Sequence, residues 1–140
     1  MFGLFESKEA KLIREDTKKT ISNADTLFDE KQQKDIAKKV LYKILKCIAE
    51  IDGLGFGSKR DAVMKNQMQE AKLERQKNVN ELQSANPKWM TAALVESFLM
   101  MNSGVYGKKL GEEAMMIQYW CRAKLSEKEI QDILSKFAIN

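Results

Sequence analysis

The sequence predicts an all-α protein: a single-domain helical bundle of about six helices around a central apolar helix at 88–103. Three observations carry this. Between Trp89 and Met101 the chain reads WMTAALVESFLMM, with Glu96 as its single charge; a helix apolar on nearly all sides must be covered on nearly all sides. One proline and seven glycines in 140 residues suit helices better than a sandwich or barrel. Elsewhere apolar residues recur at three- and four-residue steps, the helical period. One domain over 1–140 is expected from the length, which suffices for a core without disulfides or metal.

The elements follow in order. Residues 6–21 read as a first helix with Leu12, Ile13 and Ile21 as apolar markers, ended by Ser22-Asn23-Ala24-Asp25. Leu27 and Phe28 then anchor the chain. Residues 32–51 form the cleanest amphipathic helix: Ile36, Val40, Leu41, Ile44, Cys47, Ile48 and Ile51 share one sector, and Lys34, Lys38, Lys39, Lys43 and Lys46 lie opposite. The Gly-rich stretch 52–58 (DGLGFGS) is an interhelical turn, since each glycine costs a helix about 1 kcal/mol relative to alanine. In it Leu54 and Phe56 are expected to plug the bundle, and Ser58 to cap the next helix.

That next helix is expected to run from 59 to 84, about 39 Å at 1.5 Å per residue, and to protrude. Met64, Met68, Ala71, Arg75, Asn78 and Leu82 make a heptad-like seam with two polar members. Asn86-Pro87 is a start signal, an N-cap followed by proline at the first helical position. Asn102-Ser103-Gly104 closes the central helix. Residues 106–124 form the next helix, with Gly107, Gly111 and Ala114 on one side. Ser126-Glu-Lys-Glu129 is a capping box, and Ile130, Ile133, Leu134 and Phe137 follow as a buried stripe.

Charge and residue usage exclude several classes. The net charge of +4 is spread evenly, with 11 basic and 9 acidic residues in 1–51, 6 and 5 in 52–86, and 7 and 6 in 87–140. There is no basic tail to attract nucleic acid or anionic lipid at long range. Histidine is absent, which removes Ser-His-Asp and Cys-His nucleophile systems and any histidine zinc site. Cys47 and Cys121 both fall in apolar helical patterns and read as reduced core thiols of a cytoplasmic protein. The apolar run at 89–101 is too short to span a bilayer, so no transmembrane segment is expected. Met1-Phe-Gly-Leu-Phe5 is too short for a signal-peptide apolar region.

Four constellations remain. The spacing G-x-G-x-G-S-K-R at 53–60 matches neither phosphate-loop pattern and reads as a turn. Glu96 with Glu112 or Glu113 would make a carboxylate pair for acid–base work or a hard cation; the structural alternative pairs Glu96 with Lys88 or Arg122. The lysine face Lys38, Lys39, Lys43 and Lys46, with Lys59 and Arg60, would track phosphates, or be a solvated face. Met64, Met68, Arg75, Val79 and Leu82 on the sparse long helix would meet a partner, because methionine serves adaptable surfaces.

The functional reading is therefore a non-catalytic helical protein–protein interaction module, a small regulator, adaptor or inhibitor. It would bind a protein partner or a second copy of itself through the long helix. No catalytic residue, metal ligand or cofactor is assigned, and a small-molecule substrate is not expected. Two alternatives follow in order: a nucleic-acid-binding module using the lysine face, and a metal-dependent enzyme using the carboxylates.

Overall fold

The computed structural model describes residues 6–78 and 85–137. They form seven helical segments and no strand: α1 Lys8–Leu27, α2 Glu30–Ile51, α3 Ser58–Lys77, α4 Pro87–Asn102, α5 Lys108–Glu113, α6 Met115–Lys124 and α7 Glu127–Ser135. Only a tight turn at Ala114 separates α5 from α6, where Ile117 N–H bonds to Ala114 O at 3.2 Å. The bundle thus has six rods, one of them bent, as the sequence predicts.

The central helix is α4. Trp89, Met90, Ala92, Ala93, Leu94, Val95, Phe98 and Met101 are all buried, with Thr91 and Ser97 among them. Thr91 donates its hydroxyl to Pro87 O at 2.8 Å, so its burial leaves no unsatisfied donor. Helix α4 packs against α3 most extensively, then α2, α1, α5 and α6. Helix α2 buries Ile36, Ala37, Val40, Leu41 and Ile44 between α4 and α6. Its outer side also receives α7.

The first helix departs from its expected end. It continues through Ser22–Asp25 to Leu27, because tertiary contacts override the turn-forming residues. Ala24 is wholly buried, and Asp25 accepts from Trp120 Nε1 at 2.8 Å and from Lys124 Nζ at 2.9 Å. The buried face of α1 is Ala10, Thr17, Thr20 and Ala24, with Ile13 and Ile21 packed beside it; Leu12 is 60% exposed. Thr17 and Thr20 donate to Ile13 O and Asp16 O, both at 2.8 Å, and so pack as nearly apolar groups.

Only Phe28 and Asp29 separate α1 from α2. Phe28 is buried, whereas Leu27 is exposed. Gln33 Nε2 donates to Phe28 O and Asp25 O, and Asp29 with Gln32 forms a capping box. At the second turn Gly57, not Ser58, is the N-cap, and no side chain caps α3. Gly53 (φ 82°) and Gly57 (φ 147°) supply the positive dihedrals expected of this stretch. Phe56 is 95% exposed rather than plugging the core, with the Arg60 guanidinium 4.9 Å from its ring centroid.

The largest correction concerns α3, which does not protrude. It lies along α4 and touches α2. Its seam is held by polar side chains with specific partners. Gln67 is buried and donates to Cys47 O at 3.0 Å; Ala71 is buried; Arg75 stacks 4.8 Å from the Trp89 ring centroid and stands 3.8 Å from Glu96. The described helix ends at Lys77. Val79 and Leu82, like Phe2, Leu4 and Phe5, lie outside the described residues.

Leu94→Ala should therefore cost about 2–5 kcal/mol of stability in urea unfolding, the range for emptying a packed core site. Leu12→Ala should change it by no more than about 0.5 kcal/mol, as an exposed position does.

Candidate functional site

Helix α3 carries two different surfaces along its length. The first is a groove of about 500 Å³ beside its N-terminal part. Met64 and Met68 line it from α3, one helical turn apart, and Leu99 and Met100 from the last turns of α4. Val105 and Tyr106 complete it from the α4–α5 loop. This loop is fixed. Ser103 donates its hydroxyl to Met100 O at 2.9 Å and accepts from Val105 N–H at 3.3 Å. Gly104 (φ 83°) and Gly107 (φ 96°) take the left-handed dihedrals that turn the chain back toward α5. Val105 remains 77% exposed at the open edge, where apolar area can still be covered. Asp61, Lys65 and Lys72 stand on the rim, at steps that keep them on one side of α3.

Of the five residues expected to meet a partner, Met64 and Met68 thus share a groove. Arg75 does not join them: it is engaged with Trp89 and Glu96 inside the fold. Sequence reasoning missed the other wall. Met100 belongs to the 89–101 run that must be covered on nearly all sides, yet it is only partly buried, whereas Met90 and Met101 are fully covered. The available signal was Val105-Tyr106, an apolar pair flanked by Gly104 and Gly107 in what should be a polar turn.

The second surface lies past the C-terminal half of α3. Lys39 and Lys43 of α2, Lys77 of α3 and Lys88 of α4 line a hollow of about 310 Å³ with Glu74, Asn78 and Thr91. The six basic residues predicted to act together are divided by the fold. Lys38, with Lys34, bonds Glu129 of α7 at 2.9 and 3.0 Å. Lys46 lies beside Cys47, Glu50 and Glu70 in a shallow recess between α2 and α3. Lys59 and Arg60 stand at the opposite end of α3, about 26 Å along its axis from Lys77 at 1.5 Å per residue.

The carboxylate pair is not assembled. Glu96 turns to Arg75 of α3, not to Lys88 or Arg122, and Glu113 turns to Arg14 of α1 at 3.7 Å. Arg14 is itself held by both oxygens of Glu6, at 2.9 and 2.7 Å. Among the described residues there is no group of three or more His, Cys, Asp or Glu placed to hold a metal ion. None of their helices is long and apolar enough to cross a membrane.

Both cysteines are free. Burial pushes the Cys47 thiol up to about 11, aided by Glu50 and Glu70. Burial likewise pushes Cys121 up to about 12. Neither has the lowered pKa of a nucleophile. Asp25 is held ionised below its usual range: burial opposes this, but the Trp120 and Lys124 hydrogen bonds outweigh it. Glu129 is held well below the usual carboxylate range by Lys38, then by Ser126 N–H and Lys34.

No protein-family model, curated protein or solved structure matches the chain.

Both thiols should react slowly with Ellman's reagent at pH 8 in the native protein and rapidly once it is unfolded. The Glu129 shift fixes a second expectation. Its folded pKa is depressed, so its stabilisation is complete above the unfolded value of about 4.3 and is lost as pH falls through and below it. Melting temperature should fall more steeply between pH 6 and 3 in the wild type than in Glu129→Gln, measured by circular dichroism.

Proposed function

We propose that this chain is a non-catalytic protein-interaction module, and that the groove between α3 and the end of α4 receives an amphipathic helix from an acidic partner. The observation that carries the reading is the apolar lining: Met64, Met68, Leu99, Met100, Val105 and Tyr106 surround one open hollow. Methionine is unbranched and polarisable, and adapts to partners of different shape. Grooves of this kind accept apolar residues spaced at i, i+3, i+4 and i+7 on a helix.

Charge selects the partner's sign. The rim carries Lys65 and Lys72 against Asp61, and the whole chain is +4. A second copy would bring the same charge to the interface, whereas acidic residues flanking an apolar stripe would meet the two lysines. The two unbridged thiols, Cys47 half-buried and Cys121 buried, support a cytoplasmic setting for the module.

A displayed library of random peptides of about 15 residues, four helical turns, tests the reading. Selection on the wild-type protein should enrich amphipathic sequences rich in Asp or Glu. Met68→Lys or Met64→Lys should weaken the selected peptides about 10- to 100-fold, the equivalent of losing one buried apolar side chain. Leu73→Lys, an exposed change on the same helix, should leave binding unaltered. Absence of enrichment, or selected peptides indifferent to both methionine changes, would overturn the reading.

A further inference from the structure

The hollow at the far end of α3 brings four ammonium groups from three helices around one space. Lys39 and Lys43 come from adjacent turns of α2, Lys77 from the last turn of α3 and Lys88 from the first turn of α4; Glu74 is the single carboxylate in the described lining. The local charge is thus three positive in about 310 Å³, a space of about ten waters at about 30 Å³ each. Among the described residues, no ion pair within 4.0 Å takes any of these four lysines, in contrast to Lys34, Lys38 and Lys124.

Like charges around one hollow repel one another, and an anion that enters it offsets that repulsion. The helix geometry adds to the field. Lys88 and Thr91 belong to the start of α4, whose macrodipole is positive there. We infer that this hollow is a binding site for a compact polyphosphate anion, a small free ligand where the sequence reading gave a lysine face that would track nucleic-acid phosphates.

The neutral groups in the lining narrow the chemistry further. Thr91 has donated its hydroxyl to Pro87 O, and Asn78 Nδ2 donates to Glu74 O at 2.7 Å. Pro87, at the first position of α4, has no N–H to offer. Recognition therefore falls chiefly to the ammonium groups, with the second amide N–H of Asn78 beside them; the ammonium groups act as mobile point charges and not as a shaped fork. Such a site ranks ligands by charge density and not by the group attached to the phosphates. No aromatic side chain lies in the described lining, so it lacks the stacking platform of single-stranded nucleic-acid sites.

Isothermal titration of the full chain with sodium tripolyphosphate, pyrophosphate and phosphate at about physiological salt tests this. Affinity should fall in that order, on the order of tenfold per step, as one strong charge contact is lost each time. Lys43→Gln and Lys88→Gln, on different helices, should each weaken tripolyphosphate binding by about tenfold. Lys108→Gln, on exposed α5, should not. Unchanged circular dichroism would establish that each variant folds. The inference is overturned if tripolyphosphate shows no saturable binding, or if binding survives both lining variants. A thymidine oligonucleotide that binds and that tripolyphosphate cannot displace would also overturn it. This site lies apart from the α3–α4 groove, and its failure would leave the peptide result untouched.

Discussion

Helix α4 cannot meet water on any side without exposing a large apolar side chain, and most of the bundle is arranged by that requirement. Trp89, Met90, Leu94, Phe98 and Met101 look outward in several directions from one rod. Helices α1, α2, α3, α5 and α6 all touch it. Burying such side chains is worth about 1.5–3 kcal/mol each, so the drive to surround α4 exceeds the propensity of any one neighbour. It also explains why poorly apolar helices are recruited as cover. Helix α1 supplies alanines and back-bonded threonines, small enough to pack closely.

Helix α3 shows what that recruitment asks of a polar sequence. Its inner seam uses Gln67 and Arg75, long side chains that bring apolar stems into the interface and finish on a defined partner. Once the seam is committed to α4, the adjacent turns of α3 become the wall of a groove instead of a free helix. Core seam and groove wall are two sides of the same element. The methionines belong to the surface because the α4–α5 loop, held by Ser103, stops short of covering them.

The charged face of α2 is divided by the same logic. Glu129 closes the α7 capping box and binds Lys34 and Lys38, so half of the face becomes an interhelical clasp. Lys39 and Lys43, outside that clasp, line one hollow with Lys77 and Lys88 and another with Glu129 and Asp132. A stripe that is uniform in sequence thereby acquires one neutralised and one concentrated section. No helix wheel drawn for α2 alone distinguishes them, because the partners lie more than 30 residues away.

The amino-acid pattern by itself determined the fold class, the central helix and its Asn86-Pro87 start, the apolar sector of α2 and the capping box of α7. Each depends on spacing within one helix or on one cap, where neighbours in sequence are neighbours in space. Met64 and Met68 were legible as surface candidates for the same reason, as two apolar residues on a polar helix. Tertiary structure alone decided the rest. It carried α1 through Asn23 and Asp25, turned Arg75 inward, left Phe56 outside, and joined Met64 to Val105 and Lys39 to Lys88. These outcomes turn on which side chains from distant segments share a volume, and on whether a buried polar atom finds a partner there. Local periodicity carries no record of either.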